Sequence, residues 1–461
     1  MNWSPRPSVA LRLKHFGAAP EDRPLPLEAP ISSLDGNFSV ELINNLTIEA
    51  QQVAAGLVLD LNAMDPAVLA NGIIEIDTAN WATGGRARFI PCGTAILSVS
   101  IGFCLALEDA ILTHLSQGAV FFADGGVRPA KIQSCQSQRP SDAHHFHDYT
   151  SLRERAFTAE DVTGGLPFDP SRLRQHDLLF QLTLRWALLH EVAHLALCHL
   201  DLLNRLWGPH PSGLSIIDVG EENASGHALD RWAHEFCGDG TPPIAPFDKD
   251  DVRQVMELQA DVWATDLSVA LDRTPFASGQ GMFNSYERDV QAMDVPGSIA
   301  FATLTGPQRR RLLIFCAFIA MGLFERARHG RYGRFAAVSR THPSPQARLT
   351  HLVRTFAAGG DRPSRPPGRV RNAPCAETLA CLANAMADFK DFCRTIDINV
   401  GLLDLADHLC PTGKATPCKS INRELRRLAA YDAPVKRMCE HLQIQKNSCS
   451  FRFGRGSLPG S

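Results

Sequence analysis

At 461 residues the chain can hold two or three domains, and its 44% hydrophobic and 21% charged residues are the composition of an ordinary globular protein. A formal net charge of −3 argues against nucleic acid as the main partner. Thirteen cysteines, an odd number without a CxxC pair, fit a reducing cytoplasm better than a disulfide framework. No basic-then-apolar leader opens the sequence, and the longest apolar run, 312–324, is too short to cross a bilayer. These readings point to a cytoplasmic protein without a membrane span.

Residues 1–35 are proline-rich and patternless and read as a tail. Residues 38–62 place Leu42, Leu46, Val53 and Leu57 at helical spacing. Short strands are expected at 73–76 and 88–90, separated by the turn Thr83-Gly84-Gly85, and at 120–122. The stretch 95–115 reads as one apolar helix. The histidines at His144, His145 and His147 lie in a polar stretch with no apolar frame, and read as loop residues rather than a metal site. Residues 36–170 form the N-terminal α/β part of this reading, and 171–355 its helical core.

The core is organised around 172–207, expected as one long helix. Pro170 suits its first turn and Gly208-Pro209 its end. Leu184, Trp186, Leu188, Leu189, Val192, Ala193, Leu195 and Leu197 make it apolar on nearly every side, the pattern of a buried helix. Within it stands His190-Glu191-Val192-Ala193-His194. Two histidines at i and i+4 point the same way from successive turns and can grip one ion. Glu191 lies on the adjoining edge, where a carboxylate can act on water held by that ion. This is the HExxH zinc-helix pattern. His199, at ~100° per residue along a continuous helix, falls toward the opposite side and reads as a second-layer or structural residue.

A third ligand is expected from a second helix, 248–271, whose Asp248, Asp250 and Asp251 suit a helix N-terminus. Glu257 and Asp261, four apart in an apolar setting, would repel each other on an isolated helix. They make sense facing a cation and a histidine ring, with Glu257 on the metal and Asp261 holding the second nitrogen of a ligand histidine. Glu221, Glu222, His227 and His234, in the polar insertion 208–247, are rival ligands. That insertion reads equally as a lid beside the site or as plain packing.

A helix is expected at 308–329, with Arg309-Arg310-Arg311 as a solvated charged end paired with carboxylates. Thr341-His342-Pro343-Ser344-Pro345 then opens another, with Ser344 as cap and Pro345 at the first helical position. Residues 356–374 are a linker by composition. Beyond it, 375–461 reads as a helical, cysteine-rich extension with helices at 376–396 and 419–430. Its cysteines fit no metal-knuckle spacing and read as small buried side chains.

HExxH, then Glu257-Leu258-Gln259-Ala260-Asp261, then Thr341-His342-Pro343-Ser344 with Arg348-Leu349 resembles the glutamate-zincin metallopeptidases that include the HtpX heat-shock proteases and the CAAX prenyl proteases. A looser similarity links the chain to the Lit-type phage-exclusion proteases. The resemblance covers roughly 171–355, and the membrane spans of the first group have no counterpart here. It implies zinc on His190, His194 and Glu257, with Glu191 as general base. It further implies His342 beside the active site, stabilising an oxyanion, and Arg348 as a structural tie. The expected fold class is α+β and mostly helical. It comprises a zincin-like metallopeptidase core, a small strand-containing N-terminal region and a helical C-terminal extension. The expected function is zinc-dependent cleavage of a protein or peptide substrate, laid along one of the strand edges. The C-terminal region is a candidate surface for a protein partner. The competing class is a non-catalytic zinc-binding regulatory or sensor module on the same scaffold.

Overall fold

The computed structural model describes residues 37–80, 83–89, 94–116, 170–207, 214–215, 249–273, 306–332, 342–357, 376–395 and 419–453. The expected strand at 120–122, the histidines at 144–147, the rival ligands of the insertion and residues 358–374 of the expected linker lie outside them, while Phe356 and Ala357, read as the start of that linker, end a helix. The described chain is mostly helical, with a small sheet on its N-terminal side.

Helix α1 (Asn37–Met64) ends at Asp65, whose carboxylate accepts the Ala67 N–H (2.9 Å) and caps a one-turn 3-10 helix, Pro66–Leu69. Asn71, at φ 69°, turns the chain into strand β1 (Gly72–Asp77). Asparagine tolerates the left-handed region because its short side chain can bond locally. Strands β2 (Gly85–Phe89) and β3 (Ala95–Ser100) follow, then helix α2 (Ile101–Ser116). The sheet order is β1-β3-β2-β4, where β4 is the two-residue Leu214–Ser215. β3 runs parallel to β1, with Ile74 opposite Leu97, and antiparallel to β2, with Ala87 opposite Leu97.

The expectation of a single helix over 95–115 is corrected here. β3 is an inner strand of the sheet and both its faces are buried, Leu97 and Val99 on one and Ser98 and Ser100 on the other, so burial does not alternate along it. A short apolar strand of this kind and a buried helix share one sequence pattern. The boundary is Ser100, whose Oγ accepts the Phe103 N–H (3.1 Å) as helix cap and the Gly84 N–H (3.0 Å) from the turn.

The second correction concerns 172–207. Helix α3 (Pro170–Ala196) stops, and helix α4 (His199–Trp207) restarts after Leu197 and Cys198. Cys198 sits in the left-handed region at φ 59°, and its N–H bonds the Leu195 carbonyl (3.1 Å), closing a tight turn. For a residue other than glycine that conformation costs roughly 1–2 kcal/mol. The hydrogen bonds that the turn lets His199 make, described below, offset it.

α3 runs through the centre, against the sheet, α2, and helices α5 (Lys249–Arg273) and α6 (Gly306–Tyr332). β1 comes in so close that a Cβ on Gly72 would lie 2.7 Å from Cδ2 of Leu195, so glycine is what permits this contact. The run 312–324 is buried along α6, and no described helix is long and apolar enough to cross a membrane. Helix α7 (Pro345–Ala357) begins as expected, with Ser344 Oγ accepting the Ala347 N–H (3.2 Å). Helices α8 (Ala376–Thr395) and α9 (Lys419–Phe453) belong to the same core. Phe389 and Phe392 of α8 meet Phe318 and Phe315 of α6, with ring centroids 5.7 and 6.0 Å apart. Arg311 makes two hydrogen bonds of 2.7 Å to Asp388, pairing part of the basic start of α6 with a carboxylate.

Candidate metal centre

α3 supplies His190, Glu191 and His194, and α5 supplies Glu257 and Asp261. The two helices are cross-tied one turn before the motif. Trp186 Nε1 donates to Thr265 Oγ1 (2.9 Å), whose hydroxyl donates to the Asp261 carbonyl (2.8 Å). This fixes the register in which Glu257 faces the two histidines. His190 Nε2 lies 3.2 Å from Glu257 Oε2 and 3.3 Å from His194 Nε2, and His194 Nε2 lies 3.5 Å from Glu257 Oε1. One ligand atom from each residue falls within 4.8 Å of the others, and all three side chains are buried.

Those separations fit a shared metal ion. Ligand atoms about 2.0–2.1 Å from a common tetrahedral centre lie roughly 3.3 Å from one another. The donor set of two imidazoles and a carboxylate has the same fit, and three protein ligands leave one tetrahedral position for water or substrate. Glu191, Glu257 and Asp261 are all buried, and Arg348 stands against the last two. Neither oxygen of Glu191 has a hydrogen-bond partner among the described residues. A buried carboxylate so placed costs of the order of 1–3 kcal/mol or more unless something in the site uses it.

The electrostatics follow from burial set against these neighbours. Burial opposes the charge on Glu257, but His342, then His190 and His194, hold its pKa well below the ordinary carboxylate value. Burial likewise opposes Asp261, and Arg348 overcomes it. For Glu191 burial wins, and its pKa is pushed well above 4.5. Burial drives His194 well below 6.5 and His199 down to about 4, so both rings are neutral. His190 behaves oppositely: burial opposes its charge, but Asp261 and Glu257 raise it to about 9. The two carboxylates therefore attract a cation to this ring, and a metal ion binding there releases the proton.

Asp261 stands where the spacing placed it, with Oδ1 3.1 Å from His190 Nδ1. Arg348 Nε and Nη2 donate to its two oxygens at 2.8 and 2.6 Å. His342 reaches Glu257, with Nε2 3.7 Å from Oε1. The cluster thus brings together His190, Glu191, His194, Glu257, Asp261, His342 and Arg348. The segment carrying His342 is held from α9, where Glu424 accepts the Ser344 N–H (2.9 Å) and the Ser344 hydroxyl (2.7 Å).

Sequence reasoning missed two participants, Gln259 and Asp432, and placed a third, the second-layer or structural His199, toward the opposite side of a continuous helix. His199, turned back by the break at Cys198, brings Nδ1 to 3.1 Å from His194 Nδ1. Its Nε2 lies 3.0 Å from Gln259 Oε1, and Gln259 Nε2 donates to Asp432 Oδ1 at 2.8 Å. A signal for Gln259 was present, because it sits between Glu257 and Asp261. For Asp432 there was none, since it lies 173 residues further along the chain, on α9. Comparison with known protein families, characterised proteins and solved structures gives no match for this chain.

Proposed function

We propose that the protein is a zinc-dependent endopeptidase acting on a protein or peptide substrate, with a zincin-like core formed by α3, α5 and the sheet. The observation that carries the reading is Glu191, a buried carboxylate without a hydrogen-bond partner among the described residues, next to three residues that could hold a metal ion. A purely structural zinc site is closed by a fourth protein ligand and has no use for such a group. His190, His194 and Glu257 would hold the zinc, which would supply Lewis acidity and lower the pKa of a water molecule at the site to about 7.

The chain's own residues do the rest. Glu191 takes the proton of the attacking water and returns it to the leaving amine. His342, on the Glu257 side of the site, is placed to donate toward the oxygen that becomes negative. Asp261 holds His190 through Nδ1, and Arg348 keeps Asp261 ionised and oriented.

The test is Glu191→Gln in the full chain, assayed for bound zinc and for cleavage of denatured protein substrates. Zinc content should stay at one per chain while cleavage falls by roughly 10²–10⁴-fold. His342→Ala should also keep zinc and lose roughly 10²–10³-fold in turnover. Undiminished cleavage by Glu191→Gln would sink the enzyme reading.

A further inference from the structure

We propose that Asp432, in the C-terminal helix α9, acts through Gln259 and His199 as a positioning relay that holds His194 with its proton on Nδ1 and its Nε2 lone pair toward the metal. The proposal rests on the metal-centre reading above and extends it to residues outside the motif.

The direction of each hydrogen bond follows from what each group can donate. The carboxylate oxygen of Asp432 accepts, so the group of Gln259 facing it at 2.8 Å is the amide N–H₂. A second contact, from the same nitrogen to the Asp432 backbone carbonyl at 3.4 Å, agrees with that orientation. The other end of the Gln259 amide is then its carbonyl oxygen, which can only accept, and it lies 3.0 Å from His199 Nε2. His199 Nε2 therefore carries a proton and donates it to that oxygen. His199 Nδ1 faces His194 Nδ1 at 3.1 Å, and two ring nitrogens can share that distance only if one donates. A metal on His194 Nε2 would need the lone pair of that nitrogen, so His194 donates from Nδ1 to His199 and leaves its own Nε2 unprotonated. That nitrogen is the one turned toward His190 and Glu257.

The two ligand histidines are thus oriented by different means. His190 has a carboxylate directly on Nδ1, the usual device for a metal-binding histidine. His194 has a second histidine there, and the carboxylate stands two residues further out, reached from another helix. The relay runs from the fully buried ring of His199 to the half-buried Gln259 and Asp432 at the rim of α9. It explains why the chain tolerates the left-handed Cys198: a continuous helix would carry His199 away from His194. It also makes α9 part of the metal centre, a role independent of its contribution to the core.

The experiment measures zinc affinity of the full chain by competition with a chromophoric chelator, for wild type, His199→Leu, His199→Asn, Gln259→Leu and Asp432→Leu. His199→Leu and Gln259→Leu should weaken zinc by roughly 10–100-fold, as losing an outer partner of a ligand histidine typically does. Asp432→Leu should act in the same direction and more weakly, since Gln259 retains part of its constraint. His199→Asn offers an acceptor oxygen close to where His199 Nδ1 lies and should recover most of the affinity. A merely structural role for His199 would not produce that recovery, and urea unfolding of the zinc-free variants separates general destabilisation from loss of the site. Wild-type affinity in both His199→Leu and Gln259→Leu, or equal weakness of His199→Asn and His199→Leu, overturns the relay. Failure of wild type itself to bind zinc overturns the metal reading beneath it.

Discussion

Replacing Arg348 by methionine isolates the electrostatic support of the site. Arg348 is 4% exposed and Asp261 fully buried, and the guanidinium gives two charge-assisted hydrogen bonds of 2.6 and 2.8 Å to that carboxylate. It also stands 3.7 Å from Glu257. Methionine keeps most of the aliphatic stem and has nearly the helix propensity of arginine, so packing and helix formation in α7 change little. What is lost is the countercharge of a buried carboxylate, which costs about 3–5 kcal/mol when one partner of a buried pair is removed. In zinc-free protein the lower end of that range is expected, because His190, 3.1 Å from Asp261, remains as a second cationic partner. Asp261→Asn keeps an acceptor for His190 while removing the charge. The double variant should therefore be less destabilised than the sum of its parts, with a coupling of about 1–3 kcal/mol. Urea denaturation of the four proteins in the presence of chelator measures both quantities. A loss below about 1 kcal/mol in Arg348→Met, or strict additivity in the cycle, would refute the assignment of Arg348 as the countercharge.

Other consequences are open to direct measurement. Glu257→Ala should empty the metal site, which elemental analysis of the purified variant reads; full zinc retention would place the third ligand elsewhere. Gly72→Val forces a Cβ into the space 2.7 Å from Leu195, and should cost about 1–3 kcal/mol in urea unfolding through overpacking against the motif helix. An unchanged midpoint would show that β1 and α3 do not meet there. His114, buried against Phe392 with ring centroids 5.1 Å apart, has its pKa lowered by burial to about 3, below the ordinary 6.5. Its contribution is therefore complete above about pH 6.5 and is lost as pH falls toward 3, because the unfolded chain takes up the proton first. His114→Phe should flatten the fall in stability between pH 6.5 and 5 relative to wild type, and an unaltered slope would contradict the buried neutral ring.

The reach of the sequence is set by the range of the interactions it encodes. His190 and His194 share a face because an α-helix repeats every 3.6 residues, and Glu257 and Asp261 share one for the same reason. The apolar residues around them announce burial, and Ser344-Pro345 announces a helix start. All of this is local, and it sufficed to bring His190, Glu191, His194, Glu257 and Asp261 forward as candidates for one site. Strand β3 was read as helix because it opens on the apolar Ala95-Ile96-Leu97 and runs directly into the apolar helix α2, so 95–115 reads as one stretch. Ser100 was the visible cue to the boundary, but its role as cap depends on the Gly84 turn arriving beside it.

The break at Cys198 and the relay to Asp432 belong to tertiary structure alone. Cysteine carries no preference for the left-handed region, so nothing in 172–207 marks the turn; it is stabilised by what His199 finds on α5 once the helices have packed. Gln259 and Asp432 lie 173 residues apart, and a single hydrogen bond at that separation leaves no periodicity or spacing to be read. Periodic local patterns can specify which side chains face inward. Which inward-facing groups then meet is decided only when α3, α5, α7 and α9 close around one another and each buried polar atom must find a partner.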